Sequence, residues 1–599
     1  DNDKVQETAY QYDLDGNLVR AANRHSITCF DYNGNGQLIA QHQWKVPSKE
    51  ENARNGLPET DWRDAQYDML YLPVTETVRY HYDFNGNRTA TVLPDGRQIN
   101  YLYYGSGHLH QISLDDEVIT DIERDKLHRE IFRTQGKLAS RYELDPLGRL
   151  KKQIATLNDL TEGGKGKTKV AAGYSQTAVK RSYGYDRTGN LTHSTDQRTG
   201  TTRFEYDRLG RITQAGSERF AFDPAHNILS DDLHAVTDNR LKTYNGTTYY
   251  YDDLGNLIHR ELQNGEVQNY FYDLHDQLVK AEIFKKDGTK ETWAYTYDAL
   301  GRRIGKGRLK DGEVSGSLEN QTRFVWDGSH LLQEIQPDGR YTYIYTDQDS
   351  YEPLAQVRNR TDREGESKQE INYFHCDQIG IPREMTDKDG NLLWFGNYTG
   401  WGRLKEETKV TDAAYQPFRL QNQYCDEETG LHYNFFRYYE PDAGRFVNQD
   451  PIGLEGGENL YAFAPNTQEW VDPLGLSNAP GACNNPCDND SLDWTSHGGK
   501  HVPPKNSSWS KIRKATKNGE PAKYKPEIHI ESIERTAWTK GTPVSSFGKN
   551  VHYKVYDAGK IIGASEGIDT PYIRVECSQG VIHGHPITKK EYLKRLGAI

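Results

Sequence analysis

One short pattern recurs through the first half of this sequence and constrains its fold more than any other feature. It reads Tyr-Asp, two variable residues, Gly, one residue, then Leu or a similar apolar residue. It is complete at Tyr12–Leu18, Tyr185–Leu191, Tyr206–Ile212 and Tyr251–Leu257, and recurs at Tyr297–Arg302. Looser copies begin at Tyr32, Tyr82, Phe222 and Tyr272. Internal repetition of this kind decides architecture before any local propensity does. In each copy Tyr ends a strand and packs its ring. Asp opens a turn because its side chain can bond backbone groups two residues on. Gly supplies the positive φ the turn requires, and the apolar residue begins the next strand. Segments between copies alternate as strands do, as in Thr201–Tyr206 and Thr247–Tyr251. The copies lie roughly 16 to 25 residues apart, which suits one hairpin per repeat. Such units stack into a long antiparallel sheet that can curl into a shell. Irregular spacing and polar inner faces favour a hollow shell over a solid solenoid or propeller.

Composition fits a thin, strand-rich surface. Hydrophobic residues are only 35%, a level that alone would suit a disordered chain. Yet there are 40 Tyr and 10 Trp, rings suited to half-buried pleated surfaces, and only 23 Pro among 599 residues. Six scattered cysteines are too few for a disulfide scaffold. The one close pair, Cys483 and Cys487, has no recognisable further ligands, and His497 does not complete a set; no metal or cofactor is expected. No run of 18 apolar residues is present, so no membrane span is expected, and no amino-terminal signal pattern is seen. The chain begins Asp1-Asn2-Asp3 without Met, as a piece of a longer protein would. The net charge of −13 is divided unequally: residues 477–599 hold 18 Lys/Arg against 12 Asp/Glu, while residues 1–476 hold 56 against 75. A basic tail on an acidic body points to an anionic partner for the tail, such as nucleic acid.

The Tyr-Asp repeats resemble those of the Rhs (rearrangement hotspot) and YD-repeat proteins. Downstream the resemblance tightens. Tyr373–Glu384, Tyr398–Arg403, Phe418–Tyr424, Glu428–Asn434 and Arg437–Pro441 follow in family order. Gly444-Arg445-Phe446 then leads into two Asp-Pro-x-Gly-Leu boxes, Asp450–Leu454 and Asp472–Leu476. The resemblance covers residues 10–476. It implies a mainly β chain in three parts: a hollow YD-repeat β-shell over 1–365, a closing segment over 366–476, and a small α+β toxin domain over 477–599. The bacterial toxin-complex C subunits share this body, so the secretion route stays open between type VI delivery and theirs. The resemblance also implies a cognate immunity protein, a secretion spike or adaptor as partner, synthesis in the bacterial cytoplasm, and release into a target cell.

The resemblance further implies that the boundary is cut by an intrinsic aspartyl-protease-like centre. The chemistry is reasonable on first principles. Two carboxyls held close cannot both ionise cheaply, so one stays protonated while the other activates a water. Asp450 and Asp472, one from each box, are the natural pair. Arg437 resembles the family's assisting arginine. The cut is expected between Leu476 and Ser477. Asp442 and Arg445 are nearby alternatives.

Beyond Leu476 a linker, Ser477–Asp493, precedes a compact domain. Helices are expected at Trp509–Lys517, capped by Asn506 or Ser507, and at Ile528–Thr539. Strands are expected at Val551–Asp557, Lys560–Ala564, Tyr572–Cys577 and Val581–His585, with Tyr592–Leu596 ending the chain. Two helices followed by a four-stranded antiparallel sheet resemble the barnase-like toxin ribonucleases in element order. Candidate side chains are His497, Lys500, His501, Lys525, His529, Trp538, Arg574, His583 and His585. Cleavage of RNA through its 2′-hydroxyl needs a base, an acid and a cation, which histidines with Lys or Arg supply without metal. The leading set is Lys500, His501, Arg574, His583 and His585, with RNA as substrate. Other cargo chemistries fit less well. A zinc deaminase needs a downstream Cys pair that does not follow His529-Ile530-Glu531. An ADP-ribosyltransferase would have to use Ser545-Ser546-Phe547 and Glu576 out of order. A metal-dependent DNase lacks a carboxylate set to join His583 and His585.

Overall fold

The computed structural model describes residues 6–54, 62–63, 76–105, 107–157, 177–230, 236–310, 318–361, 367–411, 414–481, 493–494, 500–504, 507–517, 520–544, 551–578 and 581–595. The expectations for Cys483, Cys487, His497, Asn506 and Ser545–Phe547 lie outside these residues. The chain forms two compact units, Asp1–Gly481 and Ala482–Ile599.

The first unit is almost entirely antiparallel sheet. Among the described residues, seventeen strands run from Thr8 to Arg219 and fifteen from Thr243 to Lys409. Each strand pairs with its neighbour in sequence, so both sheets are meanders. This is the YD-repeat β-shell that the repeats imply.

The repeat residues explain the ladder. In the first copy, Asp13 Oδ1 accepts hydrogen bonds from the Asp15 and Asn17 amides at 2.9 and 2.8 Å, and Asn17 Nδ2 donates to Asp13 Oδ2 at 2.9 Å. Gly16, at φ 87°, turns the chain where a side chain would be strained. Where the residue after Gly is Arg, the guanidinium takes the amide's place. Arg149, Arg211 and Arg302 donate to their own turn Asp at 2.7, 2.6 and 2.8 Å. The Tyr hydroxyl then ties one repeat to the one before. Tyr185, Tyr206, Tyr272 and Tyr297 donate to the carbonyls of Leu150, Leu191, Leu257 and Leu278 at 2.7–2.9 Å. Each of these acceptors is the residue that opens an earlier strand.

The two sheets meet across an aliphatic cluster in which Val78, Tyr80, Ile99 and Ile112 pack with Val325, Ile344, Val357 and Tyr373. Residues 418–476 then pack against the second sheet through buried rings, including Trp326, Tyr343, Phe418, Tyr424, Tyr433 and Tyr438. Charged pins cross the same contact. Arg303 and Lys306 reach Asp426 at 2.6 and 2.9 Å, and Lys306 reaches Glu428 at 3.0 Å. The Arg303 guanidinium also lies 4.2–5.9 Å from the rings of Tyr295, Phe324, Tyr424, Tyr433 and Tyr438. Burial pushes the Asp426 carboxyl up, but Arg303 and Lys306 outweigh it and leave the group below its ordinary value.

The second unit is α+β. Its main sheet has the strand order 493–494, 581–586, 572–578, 551–557, 542–544, with a parallel first pair and antiparallel pairs after it. Helices span Trp509–Lys517, Ile530–Lys540 and Lys589–Arg595. The second packs its apolar side over Val575, Ile573 and Ile582. The sheet departs from the expected four antiparallel strands, since it takes in 493–494 in parallel and 542–544 as well. The Lys560–Ala564 strand is shortened to Gly563–Ser565 and leaves the main sheet for a small one with Lys523–Tyr524 and Ile568–Thr570. The cause is the turn: Glu566 and Gly567 are both at positive φ, 52° and 79°, the geometry of a two-residue hairpin that folds the strand back on itself. The chain's last described element is a helix, which its pattern does not announce.

Candidate active sites

The first site lies wholly in the first unit, where a four-stranded sheet, 424–425, 432–434, 437–440 and 445–446, supports the two Asp-Pro boxes. Arg437 opens the third strand and is 2% exposed, its guanidinium 3.7 Å from the centre of the Phe446 ring. Its Nη2 stands 3.0 Å from Asp450 Oδ2 and 3.6 Å from Asp472 Oδ2. Its other nitrogens are held by backbone: Nε by the Gly475 carbonyl, and Nη1 by the Leu460 carbonyl at 2.9 Å. The expected trio is thus gathered around one fixed cation.

The two boxes make like turns. Gly453 N–H bonds Asp450 O and Gly475 N–H bonds Asp472 O, closing each over its Pro. Their carboxylates differ. Asp450 Oδ1 caps its own turn, accepting from Ile452 N at 3.1 Å. Asp472 Oδ1 accepts from Leu476 N at 3.0 Å and Ser477 N at 3.2 Å, the amides on either side of the expected scissile carbonyl. Asn434 Nδ2 fixes the Asp472 carbonyl at 2.8 Å, and Asn422 Nδ2 the Pro473 carbonyl at 2.7 Å. Burial pushes both carboxyls above the usual range; Arg437 pulls each back, and Asp450 adds a further upward push on Asp472. Burial also brings Arg437 down to about 10, against the pull of both acids. Two buried carboxyls with raised proton affinity beside a held peptide are the groups that general acid–base chemistry needs. The alternatives face elsewhere. Asp442 pairs with Arg403 at 2.8 Å, and Arg445 stacks on Tyr461 and donates to Asn239 O.

The second site lies on one face of the main sheet of the second unit. Registration places Arg574 opposite His585 and Glu576 opposite His583; with the period of two, all four share a face. His583 Nε2 is 2.8 Å from Glu576 Oε1, and Arg574 is 3.6 Å from both Glu576 and Glu591. His501 stacks on His585 with ring centres 4.8 Å apart and takes the Ala522 carbonyl at Nδ1, 2.7 Å away. Burial, with Arg574, His501 and His583 adding to it, pushes His585 down to about 2, so its imidazole is neutral at physiological pH. Lys500 is exposed at the margin. Beneath the strand, Glu534 accepts from Tyr524 Oη at 2.8 Å and Trp494 Nε1 at 2.7 Å, and burial raises it to about 7. Three other sequence candidates have local partners: Lys525 pairs with Glu527, His529 caps the second helix, and Trp538 lies under Lys554. Glu591 and Glu534 are not among the sequence candidates, and Glu576 is one only for ADP-ribosyl transfer. Single acids on a strand or helix carry no spacing signal; the strand register brings them to the histidines.

Two family models match the chain: the RHS protein model over residues 371–408 and the RHS Repeat model over residues 185–219. The chain belongs to the Rhs, or YD-repeat, family. It is 35% identical over 502 residues to "Double-stranded DNA deaminase toxin A" of Burkholderia cenocepacia, covering 80% of this chain and 34% of that protein. It is 32% identical over 464 residues to "Toxin protein Tse5" of Pseudomonas aeruginosa, covering 67% of this chain and 34% of that protein. This Rhs chain therefore spans about a third of the length of these relatives. Among solved structures, the TcdB2-TccC3-Cdc42 crystal structure superposes with a TM-score of 0.55 at 17% identity, over 78% of this chain and 25% of that one. That likeness is one of fold: the Rhs shell. No helix among the described residues is long and apolar enough to cross a membrane.

Proposed function

We propose that this Rhs chain is a toxin-delivery protein whose shell cuts its own backbone between Leu476 and Ser477, separating a toxic carboxy-terminal cargo. The observation that carries the cleavage reading is the grip of Asp472 on the Leu476 and Ser477 amides, beside an Arg437 shared with Asp450. The pair shares one proton. The ionised member takes a proton from an attacking water, whose oxygen bonds to the Leu476 carbonyl carbon. The protonated member supplies a proton to the departing Ser477 nitrogen as the C–N bond breaks. Arg437 holds the acids in register. A full chain carrying Asp472→Asn stays intact on a denaturing gel; two fragments from that variant would refute the reading.

The cargo's sheet face supports a metal-independent ribonuclease. His583, oriented by Glu576, is the proton carrier, Arg574 the cation for the phosphate, and His501 the second proton carrier across the neutral His585. Lys500 adds positive charge at the rim. The basic surplus of residues 477–599 suits the same substrate. A cognate immunity protein and a secretion spike or adaptor belong to this reading, as does release outside the producing cell. Incubating 477–599 with total RNA, plasmid and labelled NAD, with and without chelator, tests it. RNA breakdown in chelator is the expected result. Attack on the plasmid alone would move the assignment to DNA, and a labelled product only with NAD would replace it with ADP-ribosyl transfer.

A further inference from the structure

Gly456 ends the short helical turn Gly453–Gly456 that follows the first Asp-Pro box. Its φ is not in the left-handed region, so the backbone there would accept any L-residue. The space would not. A Cβ built on Gly456 would overlap Asp450 Oδ2 and stand 2.6 Å from the Leu476 carbonyl oxygen. Real Cβ atoms do not make such contacts, and neither neighbour is the free end of a long side chain. The Leu476 oxygen belongs to a backbone fixed by the Asp472 grip on both sides of the carbonyl. The Asp450 carboxylate is fixed by Arg437 and the Ile452 amide. The bare Cα of Gly456 is therefore the floor of a slot that the two groups enter together.

We infer that Gly456 is a positioning residue for the cleavage: its missing side chain lets the Leu476 carbonyl stand against Asp450. The inference rests on the cleavage reading above and adds a residue that carries no acid, base or charge. Alanine at 456 keeps Asp450, Asp472 and Arg437 in place chemically but parts the carbonyl from Asp450 by the width of a methyl group. Misplacement of about 1 Å can slow a positioned reaction roughly 100-fold.

The test follows self-cleavage of the full 599-residue chain made by cell-free translation, sampled over time on denaturing gels. Gly456→Ala, Asp450→Asn, Asp472→Asn and Leu454→Ala are run in parallel. Leu454 lies in the same turn with its side chain out in solvent, so its truncation disturbs the turn without entering the slot. The expected result is roughly 100-fold slower cutting for Gly456→Ala, normal cutting for Leu454→Ala, and a melting curve for Gly456→Ala that matches the uncut Asp472→Asn chain. Normal cutting by Gly456→Ala while both Asn variants stay intact would overturn the inference alone. Cutting by the Asn variants would overturn the underlying reading. An uncut Gly456→Ala chain that melts far below Asp472→Asn would also overturn the inference, since Gly456 would then support the fold and not the slot.

Discussion

Glu534 offers a quantitative test of the cargo geometry, because it lies directly under the His583–His585 strand and its proton affinity is displaced. Burial raises it from 4.5 to about 7 while Tyr524 and Trp494 donate to its two oxygens. An acid whose folded pKa exceeds its unfolded one binds an extra proton in the native state between those values. Its contribution therefore makes stability fall as pH rises from about 4.5 to about 7, and is flat above that. The displacement amounts to about 3 kcal/mol lost at pH 8 relative to pH 4. At 2% exposure the group has little solvent to relieve this. Glu534→Gln removes the ionisation but turns an NH2 toward one of the two donors, costing about 1 kcal/mol. The net gain at pH 8 is about 2 kcal/mol, roughly 8 °C in Tm for a domain of this size; at pH 4 the variant is the less stable of the two. His585 has the opposite slope: its folded pKa is lowered, so stability rises with pH from about 2 to 6.5. In the native 477–599 fragment the two slopes oppose between pH 4.5 and 6.5. In the variant only the rising limb remains. Thermal melts of both fragments across pH 4–9 read this directly. An equal change in Tm at pH 4 and pH 8 would refute a buried, proton-holding Glu534.

Three further outcomes are expected. Asp426→Ala strands Arg303 in the interior and leaves Lys306 with Glu428 alone, and should lower the urea stability of the first unit by about 3–5 kcal/mol, whereas Arg303→Met with Asp426→Leu should cost far less; equal losses would show that ring packing alone holds the contact. Tyr206→Phe removes one hydroxyl bond between strands and should cost about 1 kcal/mol in the same titration, with no effect on self-cleavage by gel. His583→Gln should slow RNA breakdown by 477–599 roughly 10²–10⁴-fold with circular dichroism unchanged; a variant that cuts RNA at the native rate would remove His583 from the proton-transfer role.

The body of this chain is readable because its turn chemistry repeats. Tyr, Asp and Gly each have one task per copy, and repetition turns weak local preferences into a meander whose strands pair in sequence. The Asp450–Asp472–Arg437 grouping is readable for a related reason: the same five-residue pattern, Asp-Pro-x-Gly-Leu, occurs twice, and a doubled turn offers two carboxylates. What escapes the sequence is determined by space and register. Gly456 has no chemical group to notice and matters through what a side chain there would touch. Glu576 reaches His583 only because the antiparallel register sets the two opposite each other. The shortened strand at Gly563–Ser565 follows from one hairpin turn, Glu566-Gly567, that outweighs the apolar run before it.

The two boxes share a pattern but not a task. Asp450 closes its own turn, and its carboxylate and the Leu476 carbonyl both border the gap at Gly456. Asp472 holds the Leu476 and Ser477 amides, so on the proposed cleavage it would be both a reacting group and the clamp that presents the bond. Substitution at 450 therefore removes chemistry, while substitution at 472 removes chemistry and alignment together. This asymmetry bears on reversal as well. On the proposed cleavage, breaking the bond would free the new Ser477 amine from the clamp and take from Asp472 one of its two amide donors. Re-forming the bond would require that free amine to be recaptured without the clamp that had aligned it. A site assembled from its own substrate in this way would be spent by a single turnover.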